Sequence, residues 1–329
     1  MTERDSRVRT PWVIGHRGAP GHRPEHSRAS YETAIRLGVD AVEPDVVLSA
    51  DGVPMVLHET ELSATTDVAA RPEFAERRSV KVVDGARREG WFAEDFTSAE
   101  LQGLRRHERW PHLRPESAAA EGGAVLTLAE LIRLVDDTAV GTECALVIEL
   151  KHSDHLRALG LDLERAVIDV LAEHPRPDGG VRTVMVESFE PEALRRIRAA
   201  GFAGQCALLC EGASLAEVLE QAAAAFGPVG RDGGAPVFLS IDKDLVLQHP
   251  DGAEAAVRGI RDEGWRPLVW TLRPENAFLT PRYRRGSDPA AHGDYVGEWG
   301  ELVAAGVDGV FVDHPDLFAR AHDPAATAV

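Results

Sequence analysis

Apolar residues in this chain fall in short runs separated by longer amphipathic stretches. Runs at 12–15, 42–48, 54–58, 145–150, 183–187, 206–210, 237–241, 267–271 and 309–313 have the length and composition of strands. Between them, 160–174, 190–200, 214–225 and 253–264 carry apolar residues at helical spacing. Strands alternating with helices predict a parallel sheet, and the chain is long enough for that sheet to close into a (β/α)8 TIM-type barrel. Nine runs are one more than such a barrel uses. The Asp51-Gly52 turn between the second and third is too short for a crossover helix. The barrel is therefore expected to be irregular near its second and third strands.

Two segments break the alternation. Residues 61–125 are polar and rich in Arg and Glu, and end in the Ala/Gly run from Ala118 to Ala124 before Thr127 caps a helix through Val135. This reads as an insertion over one barrel face, within a single domain spanning 1–329. The loop from Arg273 to Asp294 is long and rich in Pro and Gly, as functional loops often are. Both segments are expected to overhang the C-terminal mouth, where barrel enzymes bind substrate.

Composition narrows the function. A formal charge of −18, from 36 basic and 54 acidic residues, disfavours nucleic acid and stable association with anionic membranes. A phosphate-bearing substrate then needs a local positive site. Cys144, Cys206 and Cys210 suit neither a disulfide framework nor a complete zinc site, which points to a reducing compartment. The segment from Met1 to Pro11 is charged and leads into Trp12-Val13-Ile14, with no apolar stretch long enough for a signal peptide or a membrane span. The expected location is the cytoplasm.

The chemistry gathers at strand ends. Gly15-His16-Arg17-Gly18 follows the first run directly, although an isolated His-Arg pair is more often a structural histidine beside a surface charge. Glu43-Pro44-Asp45 places two carboxylates on one side of a strand, where they repel unless a cation lies between them. Pro44 also fits an edge strand with a solvated face. Glu149 and Lys151 repeat the device on an otherwise apolar strand, where unpaired burial would be expensive. His58 closes Pro54-Met55-Val56-Leu57. Two histidines near three carboxylates offer an acid, a base and a cation site, the needs of phosphodiester cleavage. The other eleven histidines lie in polar or loop contexts and read as surface residues.

Taken in order, His16-Arg17-Gly18, Pro24-Glu25-His26-Ser27, Gly38-Val39-Asp40, Glu43-Pro44-Asp45-Val46, Asp51-Gly52 and Val56-Leu57-His58-Glu59 resemble the signature of the glycerophosphodiester phosphodiesterases. The resemblance continues through Thr65-Thr66-Asp67-Val68, Asp95-Phe96-Thr97, Leu126-Thr127-Leu128, Glu149-Leu150-Lys151, Glu187-Ser188-Phe189, Trp270-Thr271 and Asp308-Gly309-Val310-Phe311-Val312-Asp313-His314-Pro315. His26 stands where many members have Asn, and Pro44 replaces a less restrictive residue. The wording of 61–125 is similar to bacterial periplasmic-type members.

The resemblance implies that Glu43, Asp45 and Glu149 hold one divalent ion, Ca²⁺ or Mg²⁺. It makes His16 and His58 an acid–base pair in unassigned order, and Arg17 with Lys151 a phosphate clamp. Trp270 either contacts the substrate or packs. The implied reaction hydrolyses a small glycerophosphodiester to glycerol 3-phosphate and an alcohol. A second reading follows phospholipase D-like enzymes that cleave lysophospholipids or sphingomyelin on a similar barrel. An apolar rim around Trp91-Phe92 or Phe278-Leu279 would favour it. A non-catalytic binding protein would lack a histidine or a carboxylate, and none is missing.

Overall fold

The computed structural model of the chain describes residues 10–139, 142–227 and 237–322. The charged lead-in lies outside them through residue 9. Twelve strands occur among the described residues: β1 (Trp12–His16), β2 (Ala41–Glu43), β3 (Asp45–Leu48), β4 (Pro54–Val56), β5 (Ser79–Val83), β6 (Ala86–Gly90), β7 (Ala145–Leu150), β8 (Val184–Ser188), β9 (Gln205–Cys210), β10 (Phe238–Asp242), β11 (Arg266–Leu272) and β12 (Gly309–Val312).

Parallel pairing runs β2-β1-β12-β11-β10-β9-β8-β7, and β7 pairs back onto both β2 and β3, which closes a (β/α)8 barrel. Helices between the strands cover its outside, among them Arg28–Arg36, Leu163–Glu173, Pro191–Ala199, Leu215–Phe226, Ala253–Asp262 and Tyr295–Ala305. Thr127 opens the helix Leu128–Thr138 with a reciprocal capping box to Glu130.

The surplus ninth run has a simple cause. β2 and β3 keep one register against β7, with Ala41 opposite Ala145 and Asp45 opposite Glu149, so they are a single barrel strand interrupted at Pro44. Proline has no N–H to give the ladder, and the Pro44 carbonyl still accepts from the Glu149 amide at 2.9 Å. Beyond that break β3 leaves β1, turns at Asp51-Gly52 and pairs antiparallel with β4. Run 54–58 is thus a hairpin arm outside the barrel, and the Glu43-Pro44-Asp45 segment belongs to the barrel wall.

Inside the barrel, Ile14, Ala41, Val147, Met185, Ala207, Phe238, Leu268 and Phe311 form a filled core, one side chain from each wall strand. Segment 61–125 adds 3₁₀ turns, the β5–β6 hairpin and two short helices. Its Leu62, Val68, Phe96, Leu101 and Leu104 join the larger core outside the barrel. All three cysteines are free and buried, and burial pushes the thiols of Cys206 and Cys210 up to about 11. Among the described residues no helix is long and apolar enough to cross a membrane.

Leu268 is fully buried in the interior core, and its Cδ2 would lie 2.8 Å from a Cβ at Gly309, so the packing has no slack there. Leu268→Ala is expected to cost about 2–5 kcal/mol. Urea unfolding should show a lower midpoint at unchanged slope; a loss below about 1 kcal/mol would mean that the neighbouring strands collapse into the space.

Candidate active site

The strand register assembles the site. His16 ends β1 opposite Glu43, Asp45 lies opposite Glu149, and Glu149 lies opposite Glu187 on β8. His16, Arg17, Glu43, His58, Glu149, Lys151 and Trp270 line one cavity of about 160 Å³. Asp45 is buried against Arg17, His26 and Lys151. All eight residues singled out from the sequence therefore meet at the C-terminal mouth.

The turn after β1 is held by backbone constraint. Arg17 has φ +53° and Gly18 φ +93°. A Cβ at Gly18 would sit 2.5 Å from Ser30 Oγ and 2.8 Å from the Tyr31 nitrogen, so only glycine fits. The turn delivers the Arg17 amide to Glu43 Oε2 at 2.8 Å. It also brings the guanidinium Nε within 3.2 Å of Asp45 Oδ2, and Nη1 within 3.1 Å of Glu25.

Glu43, Asp45 and Glu149 each offer an oxygen, and the three atoms lie within 4.8 Å of one another, all buried. Lys151 Nζ stands 2.7 Å from Glu149 Oε1 and 3.4 Å from Asp45 Oδ1. Neither oxygen receives a hydrogen bond of good geometry, however, and Glu187 Oε2 is likewise unpartnered. Burial, together with the charges of Asp45, Glu187 and Glu149, holds the Glu43 carboxyl well above its usual range. Burial pushes Glu149 up to about 8. At Asp45 burial acts in the same sense, but Lys151, His58, Arg17 and the His26 hydrogen bond outweigh it and keep the carboxyl ionised. Oxygen donors that crowd and repel, with unpartnered lone pairs, suit a hard divalent cation.

Both candidate histidines face a carboxylate through Nδ1, and for His16 the contact is a hydrogen bond. His16 Nδ1 lies 2.7 Å from Asp313 Oδ1, and His58 Nδ1 lies 2.7 Å from Glu59 Oε1. Burial and then Arg17 lower their pKa values, to about 4 for His16 and about 3 for His58. Both rings are thus neutral at pH 7. An ionised carboxylate only accepts, so His16 Nδ1 carries the proton and its Nε2 keeps a lone pair for the cavity. His58 Nδ1 is close to Glu59 but makes no hydrogen bond of good geometry with it.

The sequence reading missed several partners. His26 and His314 are buried rather than on the surface. His26 sits at φ +56°, a conformation that asparagine adopts more readily. Its Nε2 lies 2.8 Å from Asp45 Oδ2 and its Nδ1 2.7 Å from Tyr31 Oη, so it fixes one oxygen of the acidic cluster. Glu187 lines the cavity and showed the same signal as Glu149, a carboxylate on an apolar strand. Segment 61–125 lines none of the cavity and 273–294 contributes Arg273 alone. A larger groove of about 840 Å³ shares Glu211 and Trp270 with the cavity, and its remaining walls come from 212–216 and 242–250. Of the residues named for an apolar rim, Phe92 and Leu279 are buried and Trp91 is 9% exposed, while Phe278 is half-buried and packs on Trp110.

A closed (β/α)8 barrel with an acidic cluster, two carboxylate-facing histidines and an Arg–Lys pair at its C-terminal mouth belongs to the class of barrel proteins built around a phosphate-ester and cation site. The chain is a member of the glycerophosphoryl diester phosphodiesterase family, whose profile matches residues 16–317. It is 24% identical over 312 residues to a glycerophosphodiester phosphodiesterase of Bacillus subtilis, covering 94% of this chain and 85% of that one. An Arabidopsis thaliana glycerophosphodiester phosphodiesterase is 38% identical over 110 residues, a third of this chain, and the match spans 30% of the plant protein's length. Among solved structures, an Oleispira antarctica phosphodiesterase in complex with the product sn-glycerol-3-phosphate superposes with TM-score 0.64 at 23% identity, covering 95% and 96% of the two chains. A glycerophosphodiester phosphodiesterase of Thermotoga maritima does so with TM-score 0.56 at 19% identity, covering 95% and 98%.

Lys151 is the ammonium that offsets Asp45 and Glu149. Lys151→Met should lower stability in chelator by about 3–5 kcal/mol, the cost of breaking a buried ion pair. Added Ca²⁺ or Mg²⁺ should recover part of that loss in urea unfolding. A variant as stable as wild type in chelator would show that the carboxylates relieve their repulsion by protonation alone.

Proposed function

We propose that this protein hydrolyses small glycerophosphodiesters to glycerol 3-phosphate and an alcohol, with one divalent ion, Ca²⁺ or Mg²⁺, held by Glu43, Asp45 and Glu149. The observation that carries the reading is the pair of histidines, each with a carboxylate 2.7 Å from Nδ1, in one cavity with the acidic cluster. When bound, the ion supplies charge neutralisation at a phosphoryl oxygen.

The chain's own groups do the rest. One histidine Nε2 takes the proton from the attacking oxygen. The other, neutral in the free protein, first takes up a proton at Nε2, which the anionic phosphate beside it favours, and then gives it to the leaving alcohol. Arg17 Nε has no hydrogen-bond acceptor of good geometry and, with Lys151, meets the phosphate oxygens. The alcohol leaves toward the groove beyond Trp270, which shares Glu211 and Trp270 with the catalytic cavity. A charge of −18 supports a small-molecule substrate over nucleic acid or membrane. Free buried thiols support a cytoplasmic location. Of the residues that would favour the lysophospholipid alternative, only Phe278 is partly exposed, which favours the small-diester reading.

Product analysis with glycerophosphocholine and glycerophosphoethanolamine, with added Ca²⁺ or Mg²⁺ and after chelation, tests the reading. Wild type should release glycerol 3-phosphate only with the ion. His16→Ala and His58→Ala should each lower kcat by about 10²–10⁴-fold, with a smaller change in KM. Activity surviving exhaustive chelation would remove the ion from the proposal, and a histidine variant above about a tenth of wild-type kcat would remove that histidine.

The groove is tested separately. Trp270→Ala and Glu211→Gln should change the ranking of choline, ethanolamine and glycerol head groups in kcat/KM. A uniform loss on every substrate would place both residues in support of the site rather than in selection.

A further inference from the structure

We propose, resting on the hydrolase reading, that residues 106–114 of the insertion are a positioning element: Arg109 and Arg114 fix the carboxylates that hold the two histidines. The stretch supplies no side chain to the cavity wall. Instead it sends three guanidiniums inward, and each ends on the partners of a site residue.

Arg114 donates from Nη2 to Asp313 Oδ2 and from Nε to Glu275 Oε1, both at 2.6 Å. Asp313 keeps its other oxygen, Oδ1, for His16. Arg109 forks between two carboxylates, donating to Glu59 at 2.7 and 2.8 Å and to Glu25 at 2.8 and 2.7 Å. Glu59 is the neighbour of His58 Nδ1, and Glu25 pairs with Arg17. Arg106 binds the backbone carbonyls of Glu25 and Val56, which fixes the loop carrying Glu25 and the strand leading to His58.

A stitch between loops needs only a buried ion pair. Here Asp313 receives both the arginine and the histidine, and Glu59, gripped by Arg109, stands 2.7 Å from His58 Nδ1, so each guanidinium sets where its carboxylate points. The histidine then holds one tautomer and one ring plane. Trp110 keeps the fork in place: its ring centroid lies 5.3 Å from the Arg114 guanidinium and 5.1 Å from that of Arg273, and Arg273 also binds Asp313. Arg109 and Arg114 are thus positioning residues that act through Glu59 and Asp313.

The test uses the full chain with saturating Ca²⁺ or Mg²⁺, measured well below the unfolding temperature. Arg114→Gln should lower kcat on glycerophosphocholine by about 10–100-fold with little change in KM. Guanidinium ion added to Arg114→Ala should restore part of the loss. Glu275→Gln removes the structural partner of the same arginine and should leave kcat close to wild type. Arg109→Gln should lower kcat and raise KM, because Glu25 also holds Arg17.

Equal losses in Arg114→Gln and Glu275→Gln, or full kcat in Arg114→Gln, overturn the proposal. If Arg114→Gln does not fold, Arg114→Lys with ¹⁵N spectra of the His16 ring decides. Nδ1 protonation giving way to mixed tautomers supports the positioning role, and an unchanged spectrum refutes it. A wild type that cleaves no glycerophosphodiester overturns the hydrolase reading instead, and the ring spectra still judge the arginine.

Discussion

Four carboxylates, Glu43, Asp45, Glu149 and Glu187, are buried together on consecutive wall strands of one barrel. Their mutual repulsion is the constraint to which the rest of the mouth answers. Like charges a few ångströms apart in a poorly polarisable interior cannot all stay ionised without cations among them. Burial accordingly drives Glu43, Glu149 and Glu187 toward their protonated forms, while Asp45, faced by Lys151, Arg17 and the His26 hydrogen bond together, keeps its charge. Arg17 and Lys151 offset part of the repulsion. Apolar residues on the same strands would pack at least as well, since buried ionic groups add little net stability. The arrangement makes physical sense as a place where a divalent cation and a phosphate anion complete the charge balance.

That demand propagates outward in shells of alternating sign. Around the carboxylates stand Arg17 and Lys151. Around Arg17 stands Glu25 and beside His58 stands Glu59, both gripped by Arg109. Beside His16 stands Asp313, gripped by Arg114 and Arg273. Each added charge is buried or half-buried, and each is offset by the next against its desolvation cost. The insertion's arginines close the sequence on one side of the barrel, so a segment that touches no substrate is still tied to the chemistry.

How much of this was legible in the sequence depends on distance along the chain. The barrel strands were visible because parallel strands covered on both faces read as continuous apolar runs. The eight site residues were visible because charged groups stood out at the ends of those runs. The β3–β4 hairpin was counted as a barrel strand because an apolar run gives no direction, although the Asp51-Gly52 turn already marked the anomaly. The partners were hidden. Asp313 lies 297 residues from His16, and Arg109 lies 84 and 50 residues from its two glutamates. Arginines in a polar stretch look like solvated surface until the fold turns them inward. His26 was lost for the related reason that a short polar loop gives no sign of burial.

The location of selectivity follows from the same geometry. Long segments were expected to overhang the mouth, yet 61–125 serves the carboxylates beneath it, and the groove beside the cavity is walled by the shorter loops after β9 and β10. Those loops bring Glu211, Asp242 and Asp244 and no lysine or arginine to the groove. The catalytic cavity beside it carries Arg17, Lys151 and Arg273. The mouth therefore has one end where basic groups stand among carboxylates and another where carboxylates stand without a lysine or arginine. Beyond a screening length of about 8–10 Å at physiological salt, an approaching substrate feels mainly the net negative charge, and an anionic diester is repelled more than a zwitterionic one. Inside that distance the two ends sort the substrate's own charges, drawing phosphate toward Arg17 and leaving the other half of the diester against carboxylates and Trp270.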